Sequence, residues 1–340
     1  MNYLQRGLML NEGIGKSTVG NHCLWKEKPG ADMKKQQKKK KLNKRKVHDN
    51  CVGYLCIAPV YIVFIFFVGI PIISTLGYYS YTKYNILQSP KWIGFENFVR
   101  FFSDKLTPTI AWNAVRFPLC IVPAHVILGL LFAYGVYKIR SKTLRRVVRT
   151  TIYFPSIVST TAVAIAWSFI YSKDFGWLNW LLKKVGLITE NIGWTSSSKY
   201  AMLSIVIFSV WKFIGTGFLY YTVGLNNVPE TYYEAARIDG ANEGHIFFKI
   251  MLPLMTPSIF YVMLITMIGA IQAFDEPYFL TNGGPGDNTR TVALYLYEKA
   301  FNAYEMGYAS AIASVLFVVI FILTIIQFWL QNKWVNYDYD

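Results

Sequence analysis

Apolar residues run along the chain in six blocks, at 51–73, 117–137, 152–171, 201–221, 253–274 and 308–330, divided by polar or mixed segments. A bilayer core needs roughly 20 apolar residues in helix, and each block supplies that length. The blocks are continuous rather than alternating, which predicts helical spans. A β-barrel would need short strands of alternating polarity, and lipid cannot satisfy an open backbone. The expected fold class is all-α, a polytopic membrane protein with six transmembrane helices. Trp92, Trp112, Trp177, Trp180, Trp194, Trp329 and Trp334 fall near span ends, as aromatic belts do.

Composition agrees. Of 340 residues, 54% are hydrophobic and 16% charged, against about 25% charged in an average soluble domain. Charge then orients the spans. The first 50 residues carry thirteen Lys/Arg and four Asp/Glu, and nine of the thirteen residues from Lys34 to Lys46 are basic. This tail, residues 1–50, is expected to be disordered, solvated and cytoplasmic, with an attraction for anionic membrane lipid. It has no interleaved aromatics and a span follows directly, so nucleic acid is not an expected partner. The segment after the second block holds Lys138, Arg140, Lys142, Arg145, Arg146 and Arg149 and belongs on the same side. Both termini are then cytoplasmic, and 74–116, 172–200 and 275–307 are the outer segments. The first apolar block is too long for the core of a signal peptide. Met33-Lys34-Lys35-Gln36 reads like a natural start, leaving Met1 and Met33 as alternatives. The four cysteines, Cys23, Cys51, Cys56 and Cys120, lack metal-ligand spacing.

Between the fourth and fifth blocks lies a polar, helix-forming island, 228–253. Val228-Pro229-Glu230-Thr231 is a helix start, with proline and then acid. Tyr232 to Ile238 continues it, and Gly240 can end it in the left-handed conformation at little cost. Ala241-Asn242-Glu243 starts a second helix, with Ile246, Phe247, Ile250 and Met251 at helical spacing. The small residues Ala235, Ala236 and Ala241 let another surface approach, while Phe247 and Phe248 offer bulky contacts. Two readings fit, an amphipathic connector or a knob for a partner's groove.

The run Glu234-Ala235-Ala236-Arg237-Ile238-Asp239-Gly240-Ala241, closing at Leu252-Pro253, resembles the EAA loop of importer permeases powered by ATP-binding cassettes. Its variant is similar to the sugar-importer branch, akin to maltose and glycerol-phosphate permeases. Trp92-Ile93-Gly94-Phe95-Glu96-Asn97-Phe98, Arg149 to Pro155, Gly176-Trp177-Leu178-Asn179 and Leu280-Thr281-Asn282-Gly283-Gly284-Pro285 resemble other recurring elements of these permeases. The likeness covers 52–340, and the expected six-helix permease domain is 51–340. It implies a bacterial cell-membrane importer subunit for a sugar, oligosaccharide or polyol, working by alternating access and catalysing nothing itself. The implied partners are a second permease subunit forming a heterodimer, two cytosolic ATPase subunits and an extracytoplasmic solute-binding protein. This chain would bind no cofactor and no metal, with ATP and Mg on the ATPase subunits. Glu234, Ala235, Ala236, Asp239, Gly240, Ala241, Leu252 and Pro253 would form the ATPase-coupling site.

Polar residues within spans are costly in lipid and suggest a solute pathway. Lys212, Gln272 and Asp275 are the candidates, with Glu276 beside them; Asn113, Arg116 and His125 are weaker. Gly283-Gly284-Pro285-Gly286 is a turn cluster. Gly13-Ile14-Gly15-Lys16-Ser17-Thr18 imitates a phosphate loop, but Leu10 stands where that pattern needs glycine. Two rivals remain at this stage. An ion-gradient-driven transporter or channel would usually show an intramembrane acid or an inverted repeat. A membrane enzyme would need a catalytic cluster, whereas the four histidines are scattered.

Overall fold

A computed structural model describes residues 29–336, with 29–45 as backbone alone. The phosphate-loop mimic at 13–18 and the first 28 residues of the basic tail lie outside the described residues. The chain divides into two units, Met1–Val68 and Gly69–Asp340.

In the first unit, α1 spans Pro29–Phe64 and a wider π turn follows at Ile65–Gly69. The tail expected to be disordered is therefore helical from Pro29. Lysine is a good helix former, and a chain propagating from an existing helix avoids the cost of nucleation. The π turn comes just before Pro71, which cannot donate to an α-helical ladder.

The second unit opens with α2 (Ile70–Gly77) and a hairpin, β1 (Thr82–Asn85) against β2 (Gln88–Trp92), antiparallel. This short hairpin is the one sheet among the described residues of an otherwise helical fold. Thr82, Tyr84 and Trp92 suit a pleated surface, and Pro90 is tolerated because each strand is an edge. Next come α3 (Glu96–Ser103), α4 (Thr107–Tyr137), α5 (Lys142–Ile157), α6 (Thr160–Ile170) and α7 (Trp177–Lys184). The long α8 (Ala201–Asn227) precedes α9 (Glu230–Ile238) and α10 (Glu243–His245). A π segment at Ile246–Met251 leads into α11 (Leu252–Leu254) and α12 (Thr256–Ile271). The chain ends with α13 (Asp275–Thr281), α14 (Val292–Tyr297) and α15 (Met306–Gln331).

Four helical stretches are long and apolar enough to cross a membrane unbroken: Lys46–Tyr81, Thr107–Tyr137, Ala201–Asn227 and Met306–Gln331. Two further helix pairs pass the same test together but are bent, which gives four spans among the described residues, or six where each pair is one span. One breaks by 97° between α5 and α6, and the other by 64° between α11 and α12. The first break falls inside the apolar block 152–171, which the sequence pattern leaves undivided, whereas the second falls at the start of the block 253–274, where the sequence already parts the loop's second helix from the span. Hydropathy registers apolar length and is blind to where a backbone turns. The first break sits at Val158 and Ser159, both extended, just after Pro155 has removed one helical donor.

Packing centres on α4 and α8, with α12 beside α4 and α5 against α8. The contacts along α8 are close because glycines face its neighbours. A methyl at Gly217 would lie 3.3 Å from Val262 of α12, and one at Gly224 would lie 2.3 Å from the Ser258 hydroxyl. Small residues let membrane helices meet at backbone range. The motifs at 92–98 and 176–179 supply buried polar brackets. Asn97 donates to the carbonyls of Ser80 and Thr82, both at 2.9 Å, which pins the hairpin entry. Asn179 donates to Ile192 O at 2.9 Å and accepts from the Trp194 indole at 2.9 Å.

Candidate functional site

Two places gather the residues singled out in the sequence. The first is the loop after α8. Val228 and Pro229 are extended, and α9 begins at Glu230. Gly240 has φ +79°, in the region where a side chain is strained. Its N–H donates to Arg237 O at 3.1 Å, and Ala241 N–H donates to Ala236 O at 2.9 Å. This pair of bonds closes the last carbonyls of α9 as a Schellman cap. Asn242 then caps the next helix, its side chain accepting from His245 N at 2.8 Å. The helix, glycine turn and helix all appear where the sequence puts them.

The loop has an inner and an outer face. Tyr233 is buried, and with Ile246, Met251 and Met255 it joins one apolar cluster with Leu130, Val136 and Phe218. Leu252 packs against this cluster, and Pro253 is also half-buried. Both therefore belong to the footing of the loop. Glu234, Ala235, Asp239 and Gly240 are exposed, while Ala236 and Ala241 are half-buried. Those last two line a shallow groove of about 420 Å³ with Asp239, Gly240 and His245. The exposed crest carries Ile238 at 86% exposure and Phe248 at 64%. Sequence reasoning passed over Ile238, although an isoleucine just before a glycine cap has little local apolar surface to cover it.

Side chains also tie the loop to the end of α4. Glu243 pairs with Lys138 at 3.2 Å and with Arg237 at 3.3 Å. Tyr134 meets Phe247 ring to ring at 4.5 Å. The Lys138 ammonium is held above its ordinary range, first by its hydrogen bond with Tyr134 and then by Glu243. Glu243 reads as a helix start in the sequence; its second role depends on a contact more than a hundred residues away.

The second place is a cleft of about 430 Å³ between α4, α8 and the end of α12. Gln272 and Asp275 line it, together with Phe117, Phe213, Thr216 and His125. Glu276 also reaches it; burial pushes its carboxyl above the ordinary range, and Asp275 adds to the effect. His125 is 5% exposed, and its Nε2 has no hydrogen-bond partner among the described residues. Such an atom is costly to leave unpaired. Lys212 does not line the cleft. Its ammonium is turned to the break between α5 and α6, donating to Pro155 O and Val158 O, each at 2.6 Å. Asn113 is likewise a bracket, donating to the carbonyls of Asp287 and Arg290 at 3.0 Å.

Comparison with known proteins places this geometry. Residues 125–336 match the family model described as binding-protein-dependent transport system inner membrane component. The chain is 38% identical over 315 residues to the probable ABC transporter permease protein YesP of Bacillus subtilis, covering 91% of this chain and 97% of that protein. It is 32% identical to the trehalose/maltose transport system permease protein MalF of Thermococcus litoralis, over 84% of this chain and 95% of that one. Among solved structures, its fold resembles a chain of a bacterial alginate ABC transporter in complex with an alginate pentasaccharide-bound periplasmic protein. The TM-score is 0.73 at 20% identity, covering 85% of this chain and 96% of that chain.

Proposed function

The chain belongs to the family of binding-protein-dependent transport system inner membrane components, and from that premise we propose that it carries a sugar, oligosaccharide or polyol across the membrane. As a member it is a multi-pass, non-catalytic permease subunit of an ABC importer. The carbohydrate reading draws support from the trehalose/maltose relative and from the cleft, where Phe117, Phe213 and Phe274 stand beside Thr216, Gln272 and Asp275. Sugars need both aromatic faces and hydrogen-bonding groups.

The proposed assembly has a second permease subunit, two cytosolic ATPase subunits and an extracytoplasmic solute-binding protein, with both termini of this chain cytoplasmic. ATP and Mg, held by the ATPase subunits, would supply the driving energy. The observation that carries the coupling step is the two-faced loop: an exposed crest at Glu234, Ala235, Ile238 and Asp239 on a footing shared with α4 and α8. A push on the crest reaches the spans through packed side chains, with Tyr233 as the buried peg. The pathway then turns from one side of the membrane to the other as those spans shift.

The test uses the complete transporter in liposomes, comparing wild type with Ile238→Glu. Retained insertion with lost ATPase capture and lost uptake is the expected result. A wild-type chain that captures no ATPase would overturn the importer assembly and favour an ion-driven transporter. A panel of labelled maltose, trehalose, glycerol phosphate and amino acids tests the solute class separately. Uptake of amino acids alone would end the carbohydrate reading and leave the coupling reading standing.

A further inference from the structure

Lys212 lies within α8, in an apolar span, and is 1% exposed. A buried ammonium needs partners. Its hydrogen-bond acceptors are backbone carbonyls, Pro155 O and Val158 O, each at 2.6 Å. They stand where α5 stops, before the chain turns through 97° into α6. The last four carbonyls of a helix have no partner within it, and that end carries partial negative charge. α5 has no basic residue in its own last turn. Lys212 brings both the charge and the donors from the neighbouring helix.

Two further contacts close the same joint. Ser156 Oγ donates back to Lys212 O at 3.0 Å. Gly215 allows the two backbones to meet, since a methyl there would lie 2.7 Å from Ile152 O and 2.8 Å from Tyr153 Cα. The far end of α5 carries Arg145, Arg146 and Arg149. Beyond Lys212, Glu276 of α13 attracts it electrostatically and accepts from Ser209 Oγ at 3.5 Å.

We propose that Lys212 is a positioning residue for transport: its ammonium closes the C-terminus of α5 and fastens α5 to α8, so that these two helices move as one body and the third span bends only at Val158 and Ser159. Lys212 acts through the backbone and leaves solute contact to the cleft. The link to transport rests on the permease reading above; the joint itself does not.

The experiment places spin-label pairs on exposed positions of the complete transporter in liposomes. Val147 with Val223 reads α5 against α8, and Val147 with Ile165 reads the bend. Lys212→Met is expected to broaden both distance distributions and to lower maximal uptake roughly tenfold or more, as the loss of charged hydrogen bonds would, with KM for the solute unchanged. Lys212→Arg should restore narrow distances. Lys212→Met combined with Glu276→Gln should stay broad, because the carbonyls remain unpaired. Recovery in that double variant would reduce Lys212 to a counter-charge for Glu276 and overturn the proposal. So would a raised KM at unchanged distances, which would put Lys212 on the solute path. If Lys212→Met does not insert, Lys212→Leu, which likewise lacks a donor, is read by the same distances, and unchanged distances there refute the joint. A transporter without sugar uptake would leave the distance result intact, so the two readings fail separately.

Discussion

Gly240 offers the sharpest test of the loop, because its constraint is conformational and free of steric conflict. Its φ is +79°, and a methyl added there would meet nothing within 4 Å. An alanine would therefore suffer only the left-handed penalty, about 1–2 kcal/mol. Stiffening the unfolded chain returns roughly 0.4–1 kcal/mol. The net cost is about 1 kcal/mol, or roughly a fivefold loss of the capped conformer when 1.4 kcal/mol is tenfold. The two cap bonds, Gly240 N–H to Arg237 O and Ala241 N–H to Ala236 O, would open together. Gly240→Ala should then weaken ATPase capture about fivefold by this arithmetic, with insertion intact. Gly240→Val should be worse, since β-branching disfavours positive φ. Gly240→Asn should stay close to wild type, because asparagine tolerates this region. The assay is titration of solubilised transporter against its ATPase subunit, with uptake in parallel. Equal behaviour of the alanine and asparagine variants, or full capture by the valine variant, would show that the left-handed turn does not set the crest.

Glu243→Lys should loosen coupling, read as solute moved per ATP hydrolysed. Adding Lys138→Glu should restore it, and salt should shrink both effects because the pair is exposed. Asp104 accepts from Leu106 N–H at 3.0 Å and from the hydroxyls of Tyr295 and Tyr308. Burial opposes ionisation, but these bonds outweigh it and hold its carboxyl below the ordinary 3.8. Its stabilisation is therefore complete above pH 3.8 and is lost as pH falls through the lowered value. Hydrogen exchange in α3 and α14 should show that loss, and Asp104→Asn should abolish the pH dependence. Gly307→Ala would push a methyl to 2.0 Å from Thr82 O and should cost at least about 2 kcal/mol, seen as a lower Tm.

Much of this architecture was legible because membrane helices announce themselves by length, and the loop by residues with strict local demands. Pro229, Gly240 and Asn242 each have few conformational uses, so their order specified the helix, turn and helix. The break inside the third apolar block was not legible. Pro155 hinted at it, but proline is tolerated within spans when neighbours satisfy the freed groups, as Pro118 and Pro123 inside α4 illustrate. Lys212 stood out as an intramembrane charge, yet its partners are carbonyls, which every residue has and no sequence pattern marks. Gln272 and Asp275 do reach the cleft, whereas His125 is notable only for an unpaired nitrogen that three-dimensional packing creates.

The glycine contacts along α8 have a mechanical consequence. Gly215 brings α8 onto the backbone of α5 at Ile152 and Tyr153, and Gly217 and Gly224 seat Val262 and Ser258 of α12 directly on α8, so little side chain lies between these helices to shear. Helices so joined resist sliding, and compliance is left to the two extended or bent links, at 158–159 and at Met255. The permease is then a stiff frame with two soft corners, and stiffening either corner, for instance by a cross-link across it, should stop the cycle at a defined stage without unfolding any span.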